Sequence, residues 1–109
     1  MPAATGCVQV NTTVPDRATA DRVASVAVTE RLAAYAHVDG PLQSTYRWQG
    51  AVETATEWSC RLKTTVQRLP ALVARIRELH PYDVPEIVAQ DVADGDPAYL
   101  RWIQESVAI

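Results

Sequence analysis

The order of strand and helix patterns in this 109-residue chain predicts an α+β fold. Two long segments carry apolar residues at helical spacing, four others are extended or alternate between apolar and polar residues, and a short helical pattern closes the chain. The order β-α-β-β-α-β is that of the ferredoxin-like split βαβ arrangement, an antiparallel sheet with two helices on one face. An extra C-terminal helix follows it. The other sheet face has no helix to cover it, so we expect a homotrimer in which three copies pack their sheets together.

The first strand is predicted over Cys7–Val14, where apolar residues are interspersed with Asn and Thr, and Pro15 ends it. A helix is predicted over residues 16–34, with Thr13 or Asp16 available as its cap and Pro15 suited to its first turn. Its apolar stripe at helical spacing comprises Ala20, Val23, Ala24 and Ala27.

A hairpin is predicted in the middle of the chain. Residues 35–48 form an extended stretch broken near residues 39–41, and a turn follows at residues 48–51, where Gly50 can supply a positive φ. The next strand covers residues 52–65 and has two distinct faces. The face predicted to be dry comprises Trp58, Cys60, Leu62 and Thr64. The face predicted to be wet, or buried against a partner, comprises Glu57, Ser59, Arg61 and Lys63.

The clearest helical pattern lies over residues 66–80, with Pro70 in the first turn. Its apolar face comprises Leu69, Leu72, Val73, Ile76 and Leu79. A final main strand is predicted over residues 86–92, and a turn over residues 94–97 precedes a short helix over Pro97–Ser106. These elements complete a single domain over residues 1–109.

Composition argues against several functions. The net charge is −3, the sequence pI is about 5.2 and no basic stretch occurs, so we expect no nucleic-acid binding. No apolar run approaches the roughly 20 residues of a membrane span, and the first residues have no signal-peptide pattern, so we expect a cytoplasmic protein. Two distant cysteines have no zinc-site spacing and are expected to be reduced. No catalytic motif occurs, so we expect no enzymatic activity.

The segment over residues 80–87, His-Pro-Tyr-Asp-Val-Pro-Glu-Ile, is the strongest functional signal. Its prolines predict that His80 ends a helix and that Val84 begins an extended run. His80 could bind copper or another divalent ion, or could satisfy the free carbonyls at the helix end. Glu86 could supply a nearby carboxylate ligand, or could be solvated or ion-paired.

Six motifs resemble those of the CutA family of divalent-cation-tolerance proteins. They match the family patterns TxPD, ERLAA, YxWxG, LKTT, HPYxVPEI and PAYLxW, and they occur in family order over about residues 8–107. The resemblance implies a cytoplasmic homotrimer with a ferredoxin-like protomer, akin to the PII signalling proteins and linked to tolerance of copper and other divalent cations.

Four positions depart from the family pattern. Tyr35 stands where the family often has a small cysteine, and Arg61 lies where an apolar residue is usual. A charge at position 61 is costly in a buried trimer interface unless it is paired. Thr12 and Leu79 replace a cysteine and a histidine that some members carry. A copper site built from that set retains only His80.

The resemblance suggests two kinds of site. The first is a weak site for copper or another divalent cation, with His80 and Glu86 as ligands. The second is a cleft between subunits that captures a small anionic ligand, as in a PII-like regulatory trimer. The expected cleft residues are Tyr46, Trp48, Lys63, Tyr82 and Trp102. The alternatives are that the aromatic residues anchor the core or an interface, that Lys63 pairs with a glutamate, and that the trimer is a scaffold without a ligand.

Overall fold

The computed structural model describes residues 5–109, so the first four residues, part of the segment in which a signal-peptide pattern was sought, lie outside the described residues. Seven elements follow the predicted order. They are β1 (Cys7–Val14), α1 (Arg17–Thr29), β2 (Tyr35–Trp48), β3 (Ala51–Thr65), α2 (Leu69–Leu79), β4 (Ile87–Asp91) and α3 (Pro97–Ser106). The four strands form one sheet in the order β2-β3-β1-β4, with every neighbouring pair antiparallel. The predicted ferredoxin-like α+β fold is confirmed.

The main core lies between the sheet and the helices α1 and α2. Val10 of β1 pairs with Leu62 of β3, and both side chains are fully buried. The helices contribute Val23, Ala27, Leu72 and Ile76 to the same cluster. A smaller cluster joins α3 to the sheet and comprises Cys7, Ala34, Ile103 and Val107. By strand alternation Cys7 lies on the face opposite Val10, so α3 covers part of the face where no helix was predicted, and apolar burial on both faces holds the elements together.

Helix α1 ends at Thr29, five residues before the predicted end. Arg31 adopts a left-handed φ of 61°, and the Leu32 N–H donates to the carbonyl of Ala27 at 2.9 Å. These are features of a Schellman motif, which usually has glycine at the left-handed position. The predicted helix was too long because an arginine, and not a glycine, occupies this left-handed position. At the other end Asp16 is the N-cap, and its side chain accepts from the backbone N–H of Thr19 at 2.7 Å.

The β2–β3 hairpin is longer than the strands beside it. β1 pairs with β3 only over residues 58–65, so the hairpin arm, residues 42–57, has no third strand. At its tip Gln49 and Gly50 both have positive φ, as a two-residue type I′ turn requires. The predicted break in β2 is present as a register shift between Asp39 and Leu42. There Gly40 packs so closely on Trp58 that a Cβ would lie 2.5 Å from the ring.

The two faces of β3 are largely as predicted. Cys60, Leu62 and Thr64 are fully buried, whereas Arg61 is exposed on the opposite face. The Arg61 guanidinium forms an ion pair with Asp39 on β2, with an N–O distance of 2.6 Å. Pairing is the condition under which a charge at this position is tolerated. Glu57, however, was predicted on the wet face and is only 7% exposed.

The C-terminal elements match the predicted order with shorter bounds for α2 and β4. Helix α2 starts three residues late because residues 66–68 form a turn, in which the Arg68 N–H donates to the Thr65 carbonyl. β4 is limited to five residues that pair with residues 8–12 of β1. The Arg68 side chain donates to the Val107 carbonyl at 2.9 Å and so holds the end of α3. Within residues 5–109, no helix has the length and apolar character that crossing a membrane requires.

Candidate functional site

His80 lies at the C-cap of α2 in an extended conformation, as its proline neighbour predicts. The His80 ring does not cap its own helix. Its Nε2 lies 2.8 Å from the Thr13 carbonyl oxygen of β1, and its Nδ1 accepts from the Tyr82 backbone N–H at 3.2 Å. Because a carbonyl only accepts, the hydrogen-bond pattern assigns the donor to Nε2 and the acceptor to Nδ1. With both nitrogens engaged, His80 has no free lone pair for a metal ion in this arrangement.

Tyr82 extends this network to β3. Its hydroxyl donates to Oε2 of Glu57 at 2.9 Å, and its ring lies 4.9 Å from the His80 ring between centroids. Partial burial, together with the neighbouring Glu57 carboxylate, raises the pKa of Tyr82 to about 12. The phenol therefore stays protonated at neutral pH and acts as a donor. We call these residues with Thr13 the His80–Tyr82–Glu57 network; it connects β1, the end of α2 and β3.

A cleft of about 780 Å³ opens beside this network. Its walls come from the hairpin arm, the loop after α2 and the end of β1. The structure brings together three of the predicted cleft residues, Tyr46, Trp48 and Tyr82, with the predicted ligand Glu86. The remaining acidic lining residues are Glu53, Glu57 and Asp83. No lysine, arginine or histidine of the described chain lines this cleft, so its wall is acidic and aromatic.

The other two predicted cleft residues lie elsewhere. Lys63 places its Nζ 4.7 Å from the centroid of the Tyr35 ring, a cation–π contact, and within residues 5–109 it forms no ion pair. Trp102 stacks on Tyr99 with centroids 5.4 Å apart. A single chain therefore does not bring Lys63 or Trp102 to the cleft. The large residue at position 35, a departure from the family pattern, is what Lys63 packs against.

Glu57 is the functional candidate that the sequence pattern missed. Strand alternation predicted a solvated side chain, but the loop after α2 brings the Tyr82 hydroxyl to its carboxylate. No local sequence pattern indicates that contact, because residues 57 and 82 are far apart in the chain. A tyrosine between two prolines was the only hint that the loop has a fixed conformation.

The two cysteines are small buried side chains of the core clusters. Both are fully buried, and burial raises the pKa of the Cys60 thiol to about 12 and also raises the pKa of Cys7. Cys60 pairs in register with Thr12, whose buried hydroxyl oxygen has no hydrogen-bond partner in the described structure. Across residues 5–109, no three His, Cys, Asp or Glu side chains come together as a metal-binding group.

Comparison with known proteins places these features in a family. The family model described as CutA1 divalent ion tolerance protein matches residues 8–106. The divalent-cation tolerance protein CutA of Thermus thermophilus is 45% identical over 94 residues, covering 86% of this chain and 91% of that protein. The crystal structure of CutA from Xylella fastidiosa has a TM-score of 0.91 at 38% identity, covering 94% of this chain and 98% of that chain.

A further solved relative is the CutA of Archaeoglobus fulgidus, described as a periplasmic divalent cation tolerance protein. It has a TM-score of 0.89 at 29% identity and covers 93% of this chain and 98% of that chain. The match extends over nearly all of the described fold, including the segment with His80 and Glu86. The chain belongs to the CutA1 divalent ion tolerance family.

Proposed function

We propose that this protein acts in divalent-cation tolerance as a non-enzymatic homotrimer that binds copper or a similar ion weakly. The observation that carries the proposal is the cleft: it has four carboxylates, it lies next to His80, and no basic side chain of the described chain lines it. Such a wall concentrates cations. The family is described by ion tolerance and not by a catalysed reaction, which supports a binding role.

The proposed ligands are His80 and Glu86. To bind an ion, His80 must give up its bond to the Thr13 carbonyl or to the Tyr82 N–H. That exchange lowers the net gain from coordination, which is why we expect low affinity. Because residues 5–109 supply no group of three ligands, water or a second copy would complete the coordination shell.

The test is a Cu(II) titration followed by native mass spectrometry. We expect His80→Ala and Glu86→Gln each to weaken copper uptake, and His37→Ala, at a histidine outside the cleft, to leave it unchanged. Circular dichroism checks that each variant is folded. Copper binding that survives His80→Ala intact contradicts the role given to His80.

Two surfaces support the homotrimer. An isolated two-stranded hairpin is only marginally stable in water, yet outside the cleft the hairpin arm exposes Leu42 and Val52. The sheet face opposite α1 and α2 is also covered only in part within one chain, at the Cys7 end where α3 packs, and it exposes Val88. Three chains of 11.9 kDa each would give a species of 35.7 kDa in the same mass spectra. A monomer would refute the assembly and direct attention to Arg61.

A PII-like trimer that captures a small anion is the second candidate, and Lys63 is the residue on which it depends. Since Lys63 does not line the cleft of its own chain, the cation would have to come from a neighbouring copy. Thermal-shift measurements with nucleotides and carboxylates separate this candidate from copper binding, and a response to neither leaves a scaffold role. Cytoplasmic location stays a prediction, to be tested by cell fractionation, since one relative is described as periplasmic.

A further inference from the structure

A buried carboxylate in the cleft has no positive partner in the described structure. Glu57 is only 7% exposed, and within residues 5–109 its one hydrogen-bond donor is the Tyr82 hydroxyl at Oε2. The ion pairs of this part of the chain involve other acids, namely Asp21, Asp39, Glu30 and Glu78. Burying a charge without a counter-ion is unfavourable. Glu57 lines the cleft, and its carboxylate is therefore a group to which a cation with N–H donors would add a charge-assisted hydrogen bond.

The rest of the cleft matches an organic cation. Tyr46, Trp48 and Tyr82 line it, and aromatic faces attract ammonium groups through their quadrupoles. Further carboxylates, at Glu53 and Glu86 among others, also line the cleft. The volume of about 780 Å³ falls within the range of small-molecule sites.

A bare metal ion uses the carboxylates of the cleft but not its aromatic wall. It needs several ligands within one coordination sphere, and residues 5–109 contain no group of three. A primary ammonium, by contrast, carries three donors, and an aliphatic stem can lie on aromatic rings. Several carboxylates favour a ligand with more than one charge.

We propose that the cleft binds an aliphatic diamine or polyamine, with one primary ammonium on Glu57 and the alkyl chain against Tyr46 and Trp48. The proposal does not depend on copper binding, although Glu86 is common to the two sites. It assigns a chemical class of ligand that is opposite in charge to the PII-like alternative.

Isothermal titration of the full chain with 1,4-diaminobutane tests the proposal. We expect saturable binding of the diamine and none of 1,4-butanediol, which has the same chain length without charge. We expect Glu57→Gln and Trp48→Ala each to weaken binding by about tenfold or more, the loss that one charge-assisted hydrogen bond or one cation–π contact produces. Glu105→Gln removes an exposed carboxylate outside the cleft and is expected to leave the affinity unchanged.

Several outcomes overturn the proposal. Equal affinity for the diol, an equal loss in Glu105→Gln, or full displacement by MgCl₂ at matched ionic strength would each mean that the cleft does not select an amine. No diamine binding, together with changed assembly in Glu57→Gln by native mass spectrometry, would mean that a second copy supplies the cation. Copper uptake is measured separately, so loss of one activity without the other identifies which proposal fails.

Discussion

Removing the Tyr82 hydroxyl is expected to destabilise the fold, because Glu57 then loses its only hydrogen-bond donor among the described residues. Tyr82→Phe keeps the ring and its contact with His80. A hydrogen bond to a charged group contributes about 1.5–3 kcal/mol. Since the Tyr82 residue is 37% exposed and water can partly replace the hydroxyl, we expect a loss of about 1–2 kcal/mol.

The assay is urea unfolding at a fixed chain concentration, because the homotrimer that we propose would make stability depend on concentration. Tyr46→Phe is the matched control: Tyr46 lines the same cleft, and its hydroxyl has no hydrogen-bond partner in the described structure. Combining Tyr82→Phe with Glu57→Gln completes a double-mutant cycle, in which we expect coupling of about 1 kcal/mol. If Tyr82→Phe changes stability no more than Tyr46→Phe does, the hydrogen bond does not stabilise the fold and the reasoning fails.

The same bond predicts a pH dependence. The pKa of Tyr82 is raised from 10.0 to about 12 in the folded state, so unfolding at high pH releases a proton that the folded protein retains. Its stabilising contribution is therefore fully present below pH 10 and is lost as the pH rises from 10 to 12. A shift of about two units corresponds to about 2.7 kcal/mol, which we reduce to about 1 kcal/mol for solvent screening of this partly exposed group. Tyr82→Phe is expected to remove that part of the alkaline loss.

Three further changes test the fold. Gly40→Ala places a methyl group against Trp58, so we expect a loss of about 1–3 kcal/mol in urea unfolding; wild-type stability would contradict the close contact. Arg68→Ala removes the donor to the Val107 carbonyl, and we expect the free energy of unfolding to fall by about 1 kcal/mol. Amide exchange is expected to become faster only in α3. Faster exchange across the whole sheet would argue against a local role. Capping lowers the pKa of Asp16, so its contribution is lost as the pH falls below about 4, and Asp16→Ala is expected to flatten the acid limb of a stability–pH curve.

Local signals predicted the elements well where they were unambiguous. β1 and α3 have the predicted bounds, since Pro15 ends one and the Asp96–Pro97 pair starts the other. The end of α1 was wrong because Arg31, not glycine, takes the left-handed position. Sequence periodicity does not identify a non-glycine residue with a left-handed conformation, because the tertiary fold is what stabilises that conformation.

The candidate site was predicted only in part, for a different physical reason. The segment at residues 80–87 identified His80 and Tyr82, but the partners of these side chains are on β1 and β3. Such contacts depend on the register of the sheet, which the pattern of one strand does not determine. The family resemblance placed Lys63 and Trp102 in a cleft between subunits, which stays a prediction; within one chain they pack against Tyr35 and Tyr99.

The position of Trp48 makes the hairpin arm a spectroscopic reporter. Trp48 is 44% exposed next to the hairpin turn, Trp58 packs beneath Gly40, and Trp102 stacks on Tyr99. Indole emission shifts to shorter wavelength when water leaves the ring, so a variant that keeps only Trp48 would follow the arm alone. If the proposed homotrimer forms and covers the arm, dilution to separate chains is expected to shift that emission to longer wavelength before the sheet unfolds. A diamine that enters the cleft is expected to quench the same signal, so one fluorophore would report both assembly and ligand binding.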